Sequence, residues 1–139
     1  ADVELVEMDA LLAQSDFISI HCPLTPDTRG MFNYEAFGKM KDTAYLINTA
    51  RGPIINEPDL VRALEEGIIG GAGLDVLMDD HGGAGNPLFK FDNVVLTPHA
   101  AWYSEESIVR RRTQTVENVI EVLEGREPWS FVNRGKMAK

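Results

Sequence analysis

The stretch Ala44-Tyr45-Leu46-Ile47-Asn48-Thr49-Ala50-Arg51-Gly52 decides the fold prediction, because a short apolar run ends there in a polar turn. The same pattern recurs at Gly73-Leu74-Asp75-Val76 and where Val94-Val95-Leu96 leads into Thr97-Pro98-His99. In an open α/β sheet, ligands bind outside the carboxyl ends of the strands. We therefore predict that the arginine, the aspartate and the histidine of these stretches converge on one crevice.

The composition is that of an ordinary globular protein. The chain has 139 residues, 44% of them hydrophobic and 25% charged, which is enough for one domain with a real core. The formal net charge is −9, and the basic run Arg110-Arg111-Arg112 lies inside a helical pattern. We therefore expect neither nucleic acid nor an anionic membrane as a partner.

The cysteine content and the first residues indicate a compartment. Cys22 is the single cysteine, which excludes an internal disulfide and fits a reducing, cytoplasmic setting. The start, Ala1-Asp2-Val3-Glu4, has neither the basic nor the apolar region of a signal peptide. No apolar run approaches the ~18–20 residues that a membrane-spanning helix needs.

Strand and helix patterns alternate along the chain. Apolar, β-rich runs predict strands over residues 17–20, 43–48, 68–76 and 93–97. Apolar spacing predicts helices over residues 8–15, 34–40, 57–66 and 105–124, and the last three are predicted to begin at the caps Asn33, Asn56 and Ser104. The apolar stripe of the last helix is interpreted as core. We expect an α/β fold, a parallel Rossmann-type sheet with right-handed crossovers and helices on both faces.

Arg51, Asp75 and His99 each have a chemical and a purely structural interpretation. The planar guanidinium of Arg51 can hold a carboxylate or keto oxygen through two parallel bonds, or pair with a surface acid. Asp75 can accept from a cofactor amide or cap the next loop. His99 can exchange a proton with a hydroxyl near neutral pH, or be a core histidine bonded to backbone. Because the three share one predicted crevice, the chemical interpretation is favoured.

Other residues with possible chemistry have weaker signals. His21-Cys22 suggests metal ligation, but no second cysteine or histidine lies at ligand spacing, so a loop histidine and a small buried thiol are favoured. Trp102 is either a pocket wall or plain core. The Gly-Gly-Ala-Gly stretches at 70–73 and 82–85 do not form a G-x-G-x-x-G that opens a helix, so neither is a dinucleotide fingerprint.

Five motifs together resemble one enzyme family. They are His21-Cys22-Pro23-Leu24-Thr25-Pro26-Asp27-Thr28-Arg29-Gly30, Leu46-Ile47-Asn48-Thr49-Ala50-Arg51-Gly52, Ala63-Leu64-Glu65-Glu66-Gly67, Gly73-Leu74-Asp75-Val76 and Asn93-Val94-Val95-Leu96-Thr97-Pro98-His99. From about residue 8 to residue 133 the chain resembles the D-isomer-specific 2-hydroxyacid dehydrogenases, such as phosphoglycerate dehydrogenase. Residues 99–105 are closer to the C-terminal-binding-protein branch, which also contains bacterial dehydrogenases.

The resemblance implies a small 2-hydroxy or 2-keto acid substrate and NAD as cofactor, with NADP not excluded. Arg51 would bind the substrate carboxylate and carbonyl, and His99 would be the general acid/base. Asp75 would hold the nicotinamide carboxamide, and Trp102 would face the substrate. The other residues that would line the nicotinamide and its ribose are Cys22, Pro23, Leu24, Thr28, Thr49, Ala50 and Ala101, alongside Arg51 and His99.

The chain departs from the family pattern in two ways. The family glutamate that follows the aspartate by five residues and pairs with the histidine is Asp80 here, one methylene shorter, and the usual Glu-Pro is absent. Family members also carry a substrate-binding domain and a first βαβ unit with G-x-G-x-x-G ahead of the matching region. We therefore expect residues 1–125 to be the second half of an NAD-binding domain and 126–139 a tail. The edge at 17–20 would then recruit a second copy or the missing half.

Three functions are compatible with these residues. The favoured one is the catalytic half of an NAD-dependent D-2-hydroxyacid dehydrogenase, inactive as the 139-residue chain alone. The second is an NAD-sensing, co-repressor-like scaffold without significant turnover. The third is a metal hydrolase that uses His21, His99 and the acids. Turnover of 2-keto acids with NADH separates the first two, and metal analysis tests the third.

Overall fold

Within residues 3–79 and 83–132, which are those that the computed structural model describes, four parallel strands run side by side in chain order. They are β1 (Phe17–Ile20), β2 (Tyr45–Asn48), β3 (Gly71–Leu74) and β4 (Val94–Leu96). Each strand pairs in parallel with the next along the chain. All four carboxyl ends therefore lie at one edge of the sheet, which confirms the predicted parallel Rossmann-type α/β sheet. That helices cover both of its faces stays a prediction.

The helices of the described chain begin at the predicted caps. They are α1 (Met8–Gln14), α2 (Tyr34–Gly38), α3 (Glu57–Glu65) and α4 (Glu105–Leu123). Asn33, Asn56 and Ser104 cap α2, α3 and α4, and each side chain accepts a backbone N–H of the first turn. Gly67 and Gly125 follow α3 and α4 with φ of +66° and +76°, the left-handed conformation that ends a helix. No described helix is long and apolar enough to cross a membrane.

Backbone contacts divide the chain into two compact units, Ala1–Ala101 and Trp102–Lys139. The first unit holds the sheet with α1, α2 and α3, and the second holds α4. The predicted division at residue 125 concerns the organisation of a longer protein and stays a prediction.

The core of the first unit lies against one face of the sheet. Alternate strand residues such as Ile18 and Leu46 are buried there against residues of all three short helices, among them Phe37 and Leu60. Their neighbours on the other face are exposed, as with Phe17, which is 71% exposed. This alternation follows from strand geometry, which points successive side chains to opposite faces.

The glycines at the start of β3 allow close contact with neighbouring backbone. A Cβ at Gly70 would lie 2.6 Å from the Thr43 carbonyl oxygen, and one at Gly71 would lie 2.3 Å from that of Asn93. The strand is shorter than expected, covering Gly71–Leu74, because β2 offers only four residues for pairing.

The interpretation of the α4 stripe as core is wrong for the described chain. The helix and its ends are as predicted, but Val116, Val119 and Leu123 are 58%, 54% and 81% exposed. An apolar period indicates a helix with one apolar side, and it does not show what covers that side.

Candidate active site

Arg51 stands on a tight turn that the buried side chain of Asn48 shapes. The Asn48 amide nitrogen donates to the Arg51 carbonyl at 3.0 Å, and its oxygen accepts from the Ala50 N–H at 3.0 Å. A 3-10 turn, Gly52–Ile54, follows directly. Asn48 is not among the predicted site residues, although an amide that ends an apolar strand on its buried face was the available signal.

The Arg51 side chain is an exposed cation at the carboxyl end of β2. Its guanidinium donates to the Ala50 carbonyl at 2.6 Å. Because a guanidinium carries five N–H donors, this bond leaves most of the fork for an anionic ligand. The structure thus places Arg51 as expected, and its contact with a substrate stays a prediction.

The loop after β1 is tied to itself and to the Arg51 turn. The Thr28 hydroxyl donates to the Pro23 carbonyl at 2.8 Å and accepts from the Thr25 N–H at 2.8 Å. Two backbone bonds then cross between loops, since Gly30 N–H donates to the Pro53 carbonyl at 2.9 Å and Phe32 N–H to the Ile54 carbonyl at 3.2 Å. Thr28 therefore shapes this loop.

A cavity of about 550 Å³ opens between these two loops. Its lining residues are His21, Cys22, Pro23, Leu24, Ala50 and Arg51. This volume is within the range of small-molecule sites, which combine an apolar lining with a few polar groups. The apolar side chains suit the faces of a flat ring such as nicotinamide, and the guanidinium suits an anionic substrate beside it. Five of the residues predicted to line the cofactor thus share one cavity.

Asp75 follows β3 and holds the turn that carries His99. One carboxylate oxygen accepts the Thr97 hydroxyl at 2.5 Å and the Ala100 N–H at 2.8 Å, and the other accepts the Ala101 N–H at 2.9 Å. Of the two interpretations given for Asp75, the loop cap is what these contacts show. A carboxylate has about four acceptor positions, so a cofactor amide would have to share an oxygen with this loop.

His99 is exposed and has a left-handed backbone. Its φ of +53° is the only positive value of a non-glycine residue in the described chain, and its N–H donates to the Thr97 carbonyl at 3.0 Å. Histidine is among the residues found in this conformation several times more often than average. The turn therefore presents the imidazole at the edge of the sheet instead of burying it, which argues against a core histidine.

The pKa of Asp75 reflects two opposed effects. Burial by itself raises the pKa, but hydrogen bonds from Thr97, Ala101 and Ala100 and the charge of His99 lower it, and the net pKa lies below the ordinary value. Asp75 is therefore ionised at neutral pH, and its negative field acts on His99.

Three further predicted site features have different outcomes. Asp80 lies outside the described residues, so its pairing with His99 stays a prediction. Trp102 belongs to the second unit, where the Arg111 guanidinium stacks 4.5 Å from its ring centre, and its contact with a substrate is likewise a prediction. Within residues 3–79 and 83–132, no group of three or more His, Cys, Asp or Glu is placed to hold a metal ion.

A family model and several curated proteins match this chain. The model of the D-isomer specific 2-hydroxyacid dehydrogenase, NAD binding domain, matches residues 1–101. A glyoxylate reductase of Thermofilum pendens is 47% identical over 133 residues, which are 96% of this chain and 39% of the relative. A hydroxypyruvate reductase of Blautia hydrogenotrophica is 45% identical over 129 residues, 93% of this chain and 40% of the relative. The chain thus spans about two fifths of these relatives.

Solved structures share the fold. The NAD-complexed D-isomer specific 2-hydroxyacid dehydrogenase from Lactobacillus delbrueckii ssp. bulgaricus superposes with a TM-score of 0.85 at 36% identity, covering 91% of this chain and 43% of that one. These matches do not separate the branches of the family, so the likeness to the C-terminal-binding-protein branch stays a prediction.

Proposed function

Because the chain belongs to the NAD-binding domain family of the D-isomer-specific 2-hydroxyacid dehydrogenases, we propose that the complete protein transfers a hydride between NAD(H) and a D-2-hydroxy acid or its 2-keto acid. One observation carries the proposal. The Arg51 turn with its cavity, Asp75, and the turn of His99 that Asp75 holds lie at the carboxyl ends of three consecutive strands of one parallel sheet, β2, β3 and β4.

Each side chain has a defined part in this reaction. Nicotinamide, when bound, supplies the hydride acceptor or donor. Arg51 binds the substrate carboxylate and the oxygen on the α-carbon with its fork, and stabilises the charge on that oxygen. The His99 imidazole takes the hydroxyl proton during oxidation and returns it to the carbonyl oxygen during reduction. Asp75 holds the turn that presents this imidazole, and Asp80 would be the carboxylate partner of His99.

Apolar side chains of the β1 and β2 loops would hold the nicotinamide. Cys22, Pro23, Leu24 and Ala50 form the apolar wall of the cavity, which excludes water from one face of the ring. Thr49 directly precedes Ala50 in the sequence, and the Thr28 hydroxyl donates to the carbonyl of Pro23, so both threonines adjoin that wall. This arrangement favours the nicotinamide half of the dinucleotide over its phosphates.

We further propose that the complete protein contributes a substrate-binding domain and a first βαβ unit. The relatives are more than twice as long as this chain, and β1 is the edge strand of the described sheet. An open edge recruits other strands, so we expect the chain alone to form dimers or larger assemblies, or to retain a bound segment. Light scattering with mass spectrometry tests this, and a clean monomer without a second fragment would contradict it.

Turnover of a panel of 2-keto acids with NADH by the complete protein tests the function. We expect turnover of at least one member of the panel. In Arg51→Lys, kcat/KM should fall by about tenfold or more, since charge-assisted bonds are each worth about 1.5–3 kcal/mol, and NADH affinity should change little. Arg29→Lys, at an exposed arginine of the loop after β1, is the matched control, and its kcat/KM should equal that of wild type.

Two results would count against the proposal. Near-normal kcat/KM in Arg51→Lys would remove the assignment of Arg51. NADH binding without turnover of any 2-keto acid would instead favour the NAD-sensing scaffold.

A further inference from the structure

Glu57 connects the Arg51 turn to the segment that follows β3. It is the first residue of α3, and its two carboxylate oxygens have different partners. One accepts the backbone N–H of Met78 at 2.9 Å, and the other accepts the side-chain N–H of Asn86 at 2.8 Å. A single carboxylate therefore holds two separate points of this segment.

Asn86 anchors the carboxylate to the core. Its side-chain oxygen accepts the Leu88 N–H at 2.8 Å, and Leu88 is buried. Because the oxygen of the amide is used there, its nitrogen must face Glu57. The orientation of the Glu57 carboxylate is thus set by a residue fixed to the hydrophobic core.

The Leu77–Met78 peptide group transmits this orientation to the arginine turn. A Cβ built on Gly52 would lie 1.7 Å from the Leu77 carbonyl oxygen, so this carbonyl sits directly on the glycine that follows Arg51. The Leu77 carbonyl and the Met78 N–H belong to the same planar amide. Glu57 therefore binds one end of a rigid group whose other end packs on Gly52.

We propose that Glu57 is a positioning residue for Arg51, which acts by fixing the Leu77–Met78 peptide plane against Gly52. Asn48 donates a hydrogen bond to the carbonyl of Arg51, and the Leu77–Met78 peptide plane packs against Gly52. The turn that carries the guanidinium is therefore restrained at both residues. The proposal rests on the proposed function, in which Arg51 binds the substrate carboxylate.

Exchange of donors and acceptors at the Glu57–Asn86 contact tests the proposal in the complete dehydrogenase. In E57Q the new amide nitrogen would face another donor, either the Met78 N–H or the side-chain N–H of Asn86. In N86D the two carboxylates would face each other. The double variant E57Q/N86D pairs an amide donor with a carboxylate acceptor again. It also keeps an oxygen for the Leu88 N–H.

Misplacement of a binding group by less than 1 Å reduces kcat/KM strongly, so E57Q and N86D should each lower kcat/KM for the 2-keto acid by about tenfold. The loss should lie mainly in the substrate KM, with the KM for NADH within about twofold of wild type. The double variant should recover to within about threefold. E65Q removes a carboxylate from the same helix, where Glu65 pairs with Lys90 at an exposed site, and should be normal.

Combining E57Q with R51K distinguishes a positioning role of Glu57 from a general loss of structure. If Glu57 acts through Arg51, E57Q should reduce kcat/KM by less than about twofold in the R51K background. Multiplied losses in R51K/E57Q would show a merely structural role and overturn the inference. Wild-type kinetics in E57Q beside an impaired R51K would overturn this inference alone. Wild-type kinetics in R51K would remove the proposed assignment of Arg51 and this inference with it. Should E57Q fail to fold, N86D and R51K/N86D carry the same comparison.

Discussion

The Asp75 carboxylate binds both backbone amides that follow His99, at 2.8 and 2.9 Å. These bonds hold the histidine in its left-handed conformation, with φ of +53°. A buried acid thus fixes the backbone that presents the imidazole.

Replacement of Asp75 by asparagine should destabilise the fold, because an amide cannot accept hydrogen bonds at both ends. We expect a loss of about 1–3 kcal/mol near neutral pH, from the donors left without a partner. The pKa of Asp75 is lowered in the folded state, so its stabilisation is present above the unfolded pKa of about 3.9 and is lost as the pH falls through the folded pKa. Urea unfolding at about pH 7 and about pH 3 measures this effect. The difference in unfolding free energy between wild type and Asp75→Asn should be smaller at the acidic pH.

A difference in unfolding free energy that is the same at both pH values would contradict the role of the ionised carboxylate. Thr97→Val is the matched control, because it removes only one of the three donors to Asp75. It should cost less than Asp75→Asn at neutral pH.

Alanine at Gly52 should be poorly tolerated. Its Cβ would overlap the Leu77 carbonyl oxygen at 1.7 Å, and this neighbour is backbone. Overpacking of this kind costs about 1–3 kcal/mol, so Tm should fall by several degrees. Gly38→Ala is the control, since nothing lies within 4 Å of a Cβ there, and alanine favours the helix. Equal Tm values for the two variants would be incompatible with the close contact at Gly52.

The proposed pairing of an acid with His99 can be tested by pH–rate profiles of the complete protein. A nearby carboxylate raises the pKa of an imidazole, so Asp80→Asn should move the histidine limb to lower pH. Asp79→Asn should leave that limb nearly unmoved. A shift with Asp79 alone would place the acid one residue earlier, and no shift with either variant would mean that neither acid pairs with His99.

The 139-residue chain alone should bind NADH weakly. It contains no G-x-G-x-x-G that opens a helix, and such helix starts provide most of the grip on a pyrophosphate. Isothermal titration should show no affinity tighter than about millimolar, or roughly 4 kcal/mol. Micromolar binding would mean that the cavity at β1 and β2 suffices, or that another chain supplies the phosphate site.

Local sequence rules predicted the elements but not the contacts between them. The caps at Asn33, Asn56 and Ser104 and the strand ends before Arg51 and His99 depend on neighbouring residues, so they could be read from the chain. The hydrogen bonds of Glu57 to Met78 and Asn86 and the exposure of α4 depend on what lies opposite in space. Asp75 shows the same limit, because its two interpretations differed only in which distant groups its oxygens meet.

The strand order β1-β2-β3-β4 has a consequence for how the site is made during synthesis. Each strand pairs with one that has already left the ribosome, so no strand has to insert between two earlier ones, and each pairing closes a short loop of chain. The β1 loop emerges first, followed by Arg51, Asp75 and His99 in that order. The proposed proton-transfer group is therefore translated after the arginine that would bind the substrate and after the aspartate that holds its turn.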